Sequence, residues 1–151
     1  MPSASIKKKI SCSKENLIKM VLDIEKYPEF VPWCINGKIY EKIDKGDNIE
    51  IIADLTIGKK FLNQTYKSFV VYKKKEDLIL VTNIGGPLKH LENKWLFKHT
   101  DNGSEVDFKV DFELKNKILN LIMMKSFEIG LTKIANAFEK RANDLFNRVK
   151  N

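Results

Sequence analysis

The spacing of hydrophobic residues changes twice along the chain, and its N-terminal part combines a short strand with a helix. Residues 5–10 suit a first strand. Ser13 suits the N-cap of the following helix, because its side chain can accept a hydrogen bond from the first turn. Apolar residues then recur at helical spacing, at Leu17, Met20, Val21 and Ile24. Pro28 either ends this helix or begins a short second one, and Pro32 restricts the turn that follows.

From residue 34 to residue 114 apolar and polar residues alternate, as they do in strands that bury one face. One apolar set is Ile49, Ile51, Ala53, Leu55 and Ile57, and the clearest is Val106, Phe108, Val110, Phe112 and Leu114. Turn signals stand at 45–47, 57–58, 76–77, 85–87 and 101–103. They divide the segment into about six successive strands, which is typical of an antiparallel meander.

Residues 116–149 return to helical spacing and predict one long helix. Its apolar stripe consists of Leu119, Ile122, Met123, Phe127, Leu131, Ile134, Phe138, Ala142, Leu145 and Val149. At 1.5 Å per residue such a helix would be ~50 Å long and would cross the whole sheet.

These elements predict a single α+β domain over residues 1–151. A curved antiparallel sheet of about six or seven strands wraps around the long C-terminal helix, and two short helices follow the first strand. Strands and helices do not alternate and there is no Gly-rich phosphate loop, which excludes a doubly wound nucleotide-binding fold. Because curvature holds the apolar faces of sheet and helix apart, we expect a cavity between them.

Composition and charge limit the cellular location and the partners that we expect for this domain. Of the 151 residues 43% are hydrophobic and 31% charged, as in an ordinary globular protein. The apolar run 118–124 is much shorter than a membrane span, and the basic N-terminus lacks the apolar stretch of a secretory signal. We therefore expect a cytoplasmic protein that can lie peripherally at the inner membrane, with Cys12 and Cys34 reduced. The net charge of +7 favours an anionic partner such as phospholipid or RNA, although a lysine-rich solvated surface explains it equally well.

Four collinear segments give the chain a family resemblance. They are YPEFVPWC (27–34), LTIGKKFLNQTYKSFV (55–70), GPLKHLENKWLF (86–97) and FEKRANDLF (138–146). They resemble segments of the START-like coenzyme Q-binding protein family and of its bacterial relatives named for the ribosome association toxin RatA. Two positions depart from the family pattern. Leu88 stands where an aromatic residue usually follows Gly-Pro, and no basic residue follows Ser68.

The resemblance implies a helix-grip fold whose hydrophobic cavity binds ubiquinone or another isoprenoid lipid and supports respiratory electron transport. For the bacterial branch it implies a toxin-like regulator that binds the ribosome and interferes with the joining of its subunits. Relatives named polyketide cyclases or dehydrases would imply an enzyme. We expect no enzyme, no required cofactor and no metal, because the sequence offers no catalytic triad, metal-ligand cluster or acid–base pair. We also expect no DNA partner.

The predicted ligand-binding residues come from three parts of the fold. They are Phe30 and Trp33 from the segment 27–33, called the lip below; Ile51, Ala53, Leu55, Trp95, Phe97, Phe108, Val110 and Phe112 from the sheet; and Met123, Phe127, Ile134 and Phe138 from the long helix. The lip either meets a quinone ring or plugs one end of the core. Trp95 and Phe97 either pack the core or wall the cavity, and Gly130 either makes room for a ligand, allows close approach of the sheet or marks a kink. We expect buried aromatic residues and no mixed aromatic and basic surface that could stack RNA bases.

Overall fold

The computed structural model describes residues 3–59, 62–85 and 88–147, and at residues 59, 62–63, 88, 119–128 and 147 it describes the backbone alone. Seven strands form one antiparallel sheet: β1 (Ser3–Ile10), β2 (Cys34–Asp44), β3 (Asn48–Lys59), β4 (Leu62–Lys73), β5 (Leu78–Asn83), β6 (Leu88–Thr100) and β7 (Gly103–Leu114). Their spatial order is β1-β7-β6-β5-β4-β3-β2, so β2 to β7 form a meander and β1 closes onto β7. This confirms the predicted α+β fold with its antiparallel meander.

Two short helices follow β1, as predicted. Helix α1 (Lys14–Leu22) is capped by Ser13, whose hydroxyl oxygen accepts a hydrogen bond from the Asn16 N–H at 3.2 Å. A 3₁₀ helix (Ile24–Glu29) comes next, and Pro28 lies inside it rather than at its start. This helix packs directly on β2 at Gly37, where an added Cβ would come within 2.3 Å of the Ile24 carbonyl oxygen. A glycine is therefore needed for this close approach.

The end of the long helix differs from the predicted hydrophobic pattern. Helix α2 (Lys117–Ala142) has 26 residues, and the chain continues in π-helical geometry over Asn143–Asn147. Leu145 of the predicted stripe is 45% exposed and its neighbour Phe146 packs against the core instead, while Val149 lies outside the described residues. The predicted turn at 57–58 is also wrong. Strand β3 runs on to Lys59, because Ile57 and Gly58 pair with Gln64 and Asn63 of β4.

Successive side chains of each strand point to opposite faces of the sheet, so apolar and polar residues are sorted onto different faces. We call the face that packs against α1 and α2 the concave face and the other the convex face. The concave side chains include the buried residues Ile51, Ala53, Val70, Ile79, Trp95, Phe97, Val106, Phe108, Val110 and Phe112. Leu131, Phe138 and Ala142 of α2 are buried with them in one core. Among the described residues, no helix is both long and apolar enough to cross a bilayer.

Candidate functional site: the concave face and its lip

A series of aromatic rings connects the lip with the sheet through α2. The Phe138 ring makes edge-to-face contacts with Tyr27, Phe30 and Trp95, at centroid distances of 5.5, 5.0 and 5.1 Å. Trp95 in turn stacks on Phe108 at 4.0 Å. Such pairs add about 0.5–1.5 kcal/mol each beyond the burial of their area. The lip is therefore packed into the core through Phe30, and Phe138 is the residue that joins the two.

Tyr27 fixes the base of the lip. Its ring is buried, and its hydroxyl donates a hydrogen bond to the Val21 carbonyl oxygen at the end of α1. Burial disfavours the phenolate and raises the pKa of Tyr27 far above its ordinary value. Tyr27 consequently stays neutral and acts as a structural pin between α1 and the lip.

A cavity lies between the sheet, α1 and α2 next to this aromatic series. It is lined by Ile6, Lys8, Ile10, Leu17, Val21, Trp95, Phe97, Val106, Phe108, Ala135 and Phe138. Its volume is about 20 Å³, enough for about one water molecule. Sites for small organic ligands typically measure roughly 300–1,000 Å³. Around this cavity the described side chains of the sheet, α1 and α2 therefore leave no room for such a ligand.

Two basic side chains of α2 hold the lip from outside. The Arg141 guanidinium lies 5.1 Å from the centre of the Phe30 ring and forms an ion pair with Glu29 at 2.8 Å. The hydrogen bond from Arg141 lowers the pKa of Glu29 below its ordinary value. Lys133 Nζ lies 5.8 Å from the centre of the Trp33 ring. The lip is thus clasped to α2 by contacts that are exposed and individually weak.

Trp33 has an unusual backbone conformation at the end of the lip. Its φ angle is +63°, a left-handed value that is uncommon for a large side chain. Its carbonyl oxygen accepts a hydrogen bond from the Gly58 N–H at 2.9 Å.

An added Cβ at Gly130 would lie 3.8 Å from the Trp33 ring, which is an ordinary contact, so packing alone does not require glycine there. Gly130 thus faces Trp33 of the lip and not the sheet, at a distance that an alanine would also allow.

The structure brings part of the predicted site together. Trp95, Phe97, Phe108 and Phe138 line the cavity. Ile51, Ala53, Val110 and Phe112 are buried on the same face without lining it, and Phe30, Leu55 and Ile134 are partly buried against the core. Met123 and Phe127 belong to the stretch 119–128, whose side chains lie outside the described part. Whether these residues bind a ligand stays a prediction.

Strand β1 contributes residues that the sequence analysis did not select. Ile6, Lys8 and Ile10 alternate onto the concave face and line the cavity, and this alternation was visible in the sequence. Lys8 Nζ donates a hydrogen bond to Asn136 at 2.9 Å and forms an ion pair with Glu139 at 3.1 Å. It therefore ties the edge strand to α2 beside the cavity.

The convex face carries an exposed aromatic residue between basic ones, contrary to expectation. Tyr40 is 51% exposed, and the Nζ atoms of Lys38 and Lys67 each lie 5.0 Å from its ring centre. Its hydroxyl donates to Asp54 Oδ2 at 2.5 Å, and this hydrogen bond raises the pKa of Tyr40. The prediction that the aromatic residues are buried is wrong at this position, because Tyr40 alternates with the half-buried Ile39 and so shares the convex face with Lys38.

The fold and the site place the chain in a class of known proteins. A curved seven-stranded sheet packed on a C-terminal helix defines the START-like, helix-grip class. An 18 kDa protein from Caulobacter crescentus has this fold, with a TM-score of 0.81 and 26% identity over 97% of this chain and 99% of its own. An aromatase/cyclase from a Streptomyces species shares the fold alone, with a TM-score of 0.79 and 12% identity.

Sequence comparison identifies the family. Residues 12–139 match the model of the family described as polyketide cyclase/dehydrase and lipid transport, and the chain belongs to this family. A ribosome association toxin RatA from Rickettsia prowazekii is 33% identical over 87% of this chain and 89% of its own length. A mitochondrial coenzyme Q-binding protein COQ10 from Dictyostelium discoideum is 29% identical over 92% of this chain and 68% of its own length.

Proposed function

We propose that this protein binds ubiquinone or a related polyprenyl lipid between the concave face and α2, and supports respiratory electron transport as a carrier or chaperone. The observation that carries the proposal is the unbroken series of packed aromatic rings that leads from the lip through Phe138 to the apolar cavity. An isoprenoid tail gains ~25 cal/mol for each Å² of apolar surface it buries there. The relatives named for coenzyme Q binding support this choice of ligand.

The closed cavity requires that α2 or the lip move away from the sheet when the lipid enters. The polar contacts along this boundary are Lys8 with Glu139 on one side and Arg141 with Glu29 on the other. Ion pairs near the surface contribute about 0–1 kcal/mol each, so breaking them costs little compared with burying a lipid tail. Ligand binding would therefore break weak ion pairs and bury apolar surface in return.

We infer a carrier rather than an enzyme from the chemistry of the cavity wall. The lining is apolar except for Lys8, and its ammonium group is already bound by Asn136 and Glu139. A carrier needs this kind of surface, because it holds a ligand without transferring protons to it.

The direct test is to extract freshly purified protein with organic solvent and identify the extracted lipid by mass spectrometry. The sharper test compares quinone affinity in the wild type and in Phe30→Ala/Trp33→Ala. We expect about a tenfold weaker affinity in the double variant, equivalent to about 1.4 kcal/mol. Ile43→Ala/Leu96→Ala, which removes two exposed apolar side chains away from the lip, is the matched control and should bind normally. Absence of any prenyl lipid together with normal affinity in the lip variant would refute the proposal.

A second candidate function is a ribosome-binding regulator. Its specific support is the convex cluster of Lys38, Tyr40 and Lys67, because an exposed aromatic ring beside ammonium groups can contact both bases and phosphates of RNA. The net charge of +7 and the relatives named RatA favour the same partner. This surface lies on the opposite face of the sheet from the proposed lipid site, so the two functions can be tested separately.

A further inference from the structure

Three polar side chains interrupt the apolar concave face at its centre. They are Ser68 on β4, Asn83 on β5 and Asn93 on β6. Ser68 is buried and stands directly opposite Asn83 in the β4–β5 ladder. Asn93 stands opposite Val81, two residues before Asn83 on the same face, and such diagonal neighbours lie roughly 7–8 Å apart. The three residues therefore form one polar stripe across three adjacent strands.

Asn93 is the amide of the stripe whose buried oxygen lacks a partner. Its Oδ1 atom is buried and accepts no hydrogen bond within the described part of the chain. Its neighbours across the ladder are Val81 and Val110, and Leu91 and Trp95 flank it on the same face of β6. None of these side chains offers a donor except the Trp95 indole N–H. A buried acceptor that has lost water without gaining a donor is unfavourable, and it commonly marks the place of a ligand or a bound water.

The other amide of the stripe is already engaged. Asn83 Oδ1 accepts a hydrogen bond from the Leu91 N–H at 3.1 Å, which fixes that side chain against β6. Of the two amides, Asn93 is the one whose oxygen is left to recognise a ligand. It lies one alternation step from Trp95, whose ring lines the cavity and belongs to the aromatic series. Asn93 does not itself line the cavity, and it becomes the nearest polar group on β6 for a ring that binds beside Trp95.

We propose that Asn93 is the head-group site of the bound lipid and that it selects a ring bearing a hydroxyl group, the reduced quinol form of a prenylated quinone. An amide oxygen can only accept a hydrogen bond, so its partner must be a donor. A quinol hydroxyl donates, whereas a quinone carbonyl does not. This inference rests on the proposed lipid-binding function and extends it to the redox form that is carried.

The test measures affinity for both redox forms of a short-chain ubiquinone analogue, such as decylubiquinone and decylubiquinol, under anaerobic conditions. Tryptophan fluorescence quenching on the full chain reports binding. We expect the wild type to bind the quinol about tenfold more tightly than the quinone, as one well-placed hydrogen bond to a buried group allows. Asn93→Leu should abolish the preference by weakening quinol binding about tenfold, with quinone binding equal to or tighter than that of the wild type.

Two further variants keep the experiment decisive. Asn93→Ala removes the amide without adding bulk, and it gives the same comparison if leucine does not fit the core. Asn36→Leu makes the same chemical change at an exposed position of β2 and should retain the quinol preference. Thermal unfolding of the ligand-free proteins adds a second readout. Asn93→Leu should unfold at a temperature no lower than the wild type, because it removes an unpaired buried acceptor.

The possible failures point to different causes. Equal affinity of the wild type for both forms would overturn the head-group site and leave the lipid-binding proposal intact, with a bound water as the partner of Oδ1. A preference for the quinone would show that the amide is turned over, with its NH₂ group toward the ligand, and would also overturn the inference. If neither form binds the wild type, the proposed function itself fails.

Discussion

The two faces of the same seven strands differ in almost every physical respect. The concave face presents large apolar and aromatic side chains that pack in one core with α1 and α2. The convex face presents charged rows such as Lys38, Asp54 and Lys67, which face one another across β2, β3 and β4. Because successive residues of a strand point to opposite faces, each strand contributes to both surfaces. The comparison shows how one sheet can offer a lipid site and a polyanion-binding surface without overlap.

In helix α2, unlike in the sheet, the same side chains contribute to the charged surface and to the contacts with the lip. Lys133 and Arg141 fall outside its apolar stripe and look like free surface charges in the sequence, yet they contact the Trp33 and Phe30 rings of the lip. Reversing these charges would disturb the lip and the surface potential together. A clean distinction between lipid and ribosome binding must therefore use residues of the two sheet faces.

The largest expected effect comes from placing a carboxylate on the concave face. Phe112 is 5% exposed, so Phe112→Asp buries an unpaired charge at a cost of several kcal/mol, comparable with the whole stability of a small domain. We expect the variant to be unfolded or to lose lipid binding, as measured by urea denaturation and quinone titration. Leu96→Asp on the convex face, where Leu96 is 43% exposed and stands opposite Asp107, is the matched control and should cost about 1 kcal/mol or less. Wild-type stability and affinity in Phe112→Asp would show that the assignment of the faces is wrong.

The alternation that makes this contrast was visible in the sequence. Residues with a clear period of two, such as Ile51, Ala53 and Phe108, lie buried where the pattern puts them. Turn chemistry was equally informative where glycine or aspartate adopts a left-handed conformation, as at Gly46 and Asp77. Local backbone preference and side-chain burial agree in these places, so single-sequence reasoning suffices.

The features that escaped prediction depend on contacts between distant segments. The two lysines that approach the Tyr40 ring come from β2 and β4, so this cluster depends on the pairing of strands and not on the local sequence alone. The clasp of Arg141 on the lip joins residues 112 positions apart, and the small size of the closed cavity follows from the packing of the whole core. Asn93 is different, because it lies two residues from both Leu91 and Trp95 and therefore points to the same face of β6. Its inward direction could have been inferred from the same alternation that placed those residues.

The second prediction concerns the convex face. Neutralising its lysines in Lys38→Gln/Lys67→Gln should weaken binding to purified ribosomal subunits about tenfold at low salt. The slope of log affinity against log salt should fall by about two, since about one counterion is released for each lysine–phosphate contact. Quinone affinity should not change, because both side chains face away from the core.

Lys19→Gln/Lys140→Gln removes the same amount of charge from exposed positions of α1 and α2 and serves as the control. If the control weakens subunit binding as much as the convex variant, net charge rather than the convex cluster is responsible. The second candidate function would then lose its specific support.

A smaller effect is expected for membranes. The net charge of +7 should draw the protein to anionic vesicles severalfold more strongly than to neutral ones. The difference should shrink as salt is raised, because the Debye length is ~8 Å at physiological ionic strength. Vesicle sedimentation at low and high salt measures this. Equal binding to neutral and anionic vesicles at every salt concentration would mean that apolar contact alone brings the protein to lipid.

The smallest expected effect is the pH dependence of the clasp between the lip and α2. The hydrogen bond from Arg141 lowers the pKa of Glu29, so the ionised carboxylate is favoured in the folded state. The stabilisation is therefore fully present above the ordinary pKa of a glutamate and is lost as the pH falls through the lowered value. Glu29→Gln lacks this titration, and its difference in unfolding free energy from the wild type should be constant near neutral pH and vanish in acid. Glu15→Gln removes one carboxylate from an exposed position of α1 outside the lip and serves as the control for the change in net charge. A difference between Glu29→Gln and the wild type that persists unchanged into strong acid would mean that Arg141 holds the lip through the Phe30 ring alone.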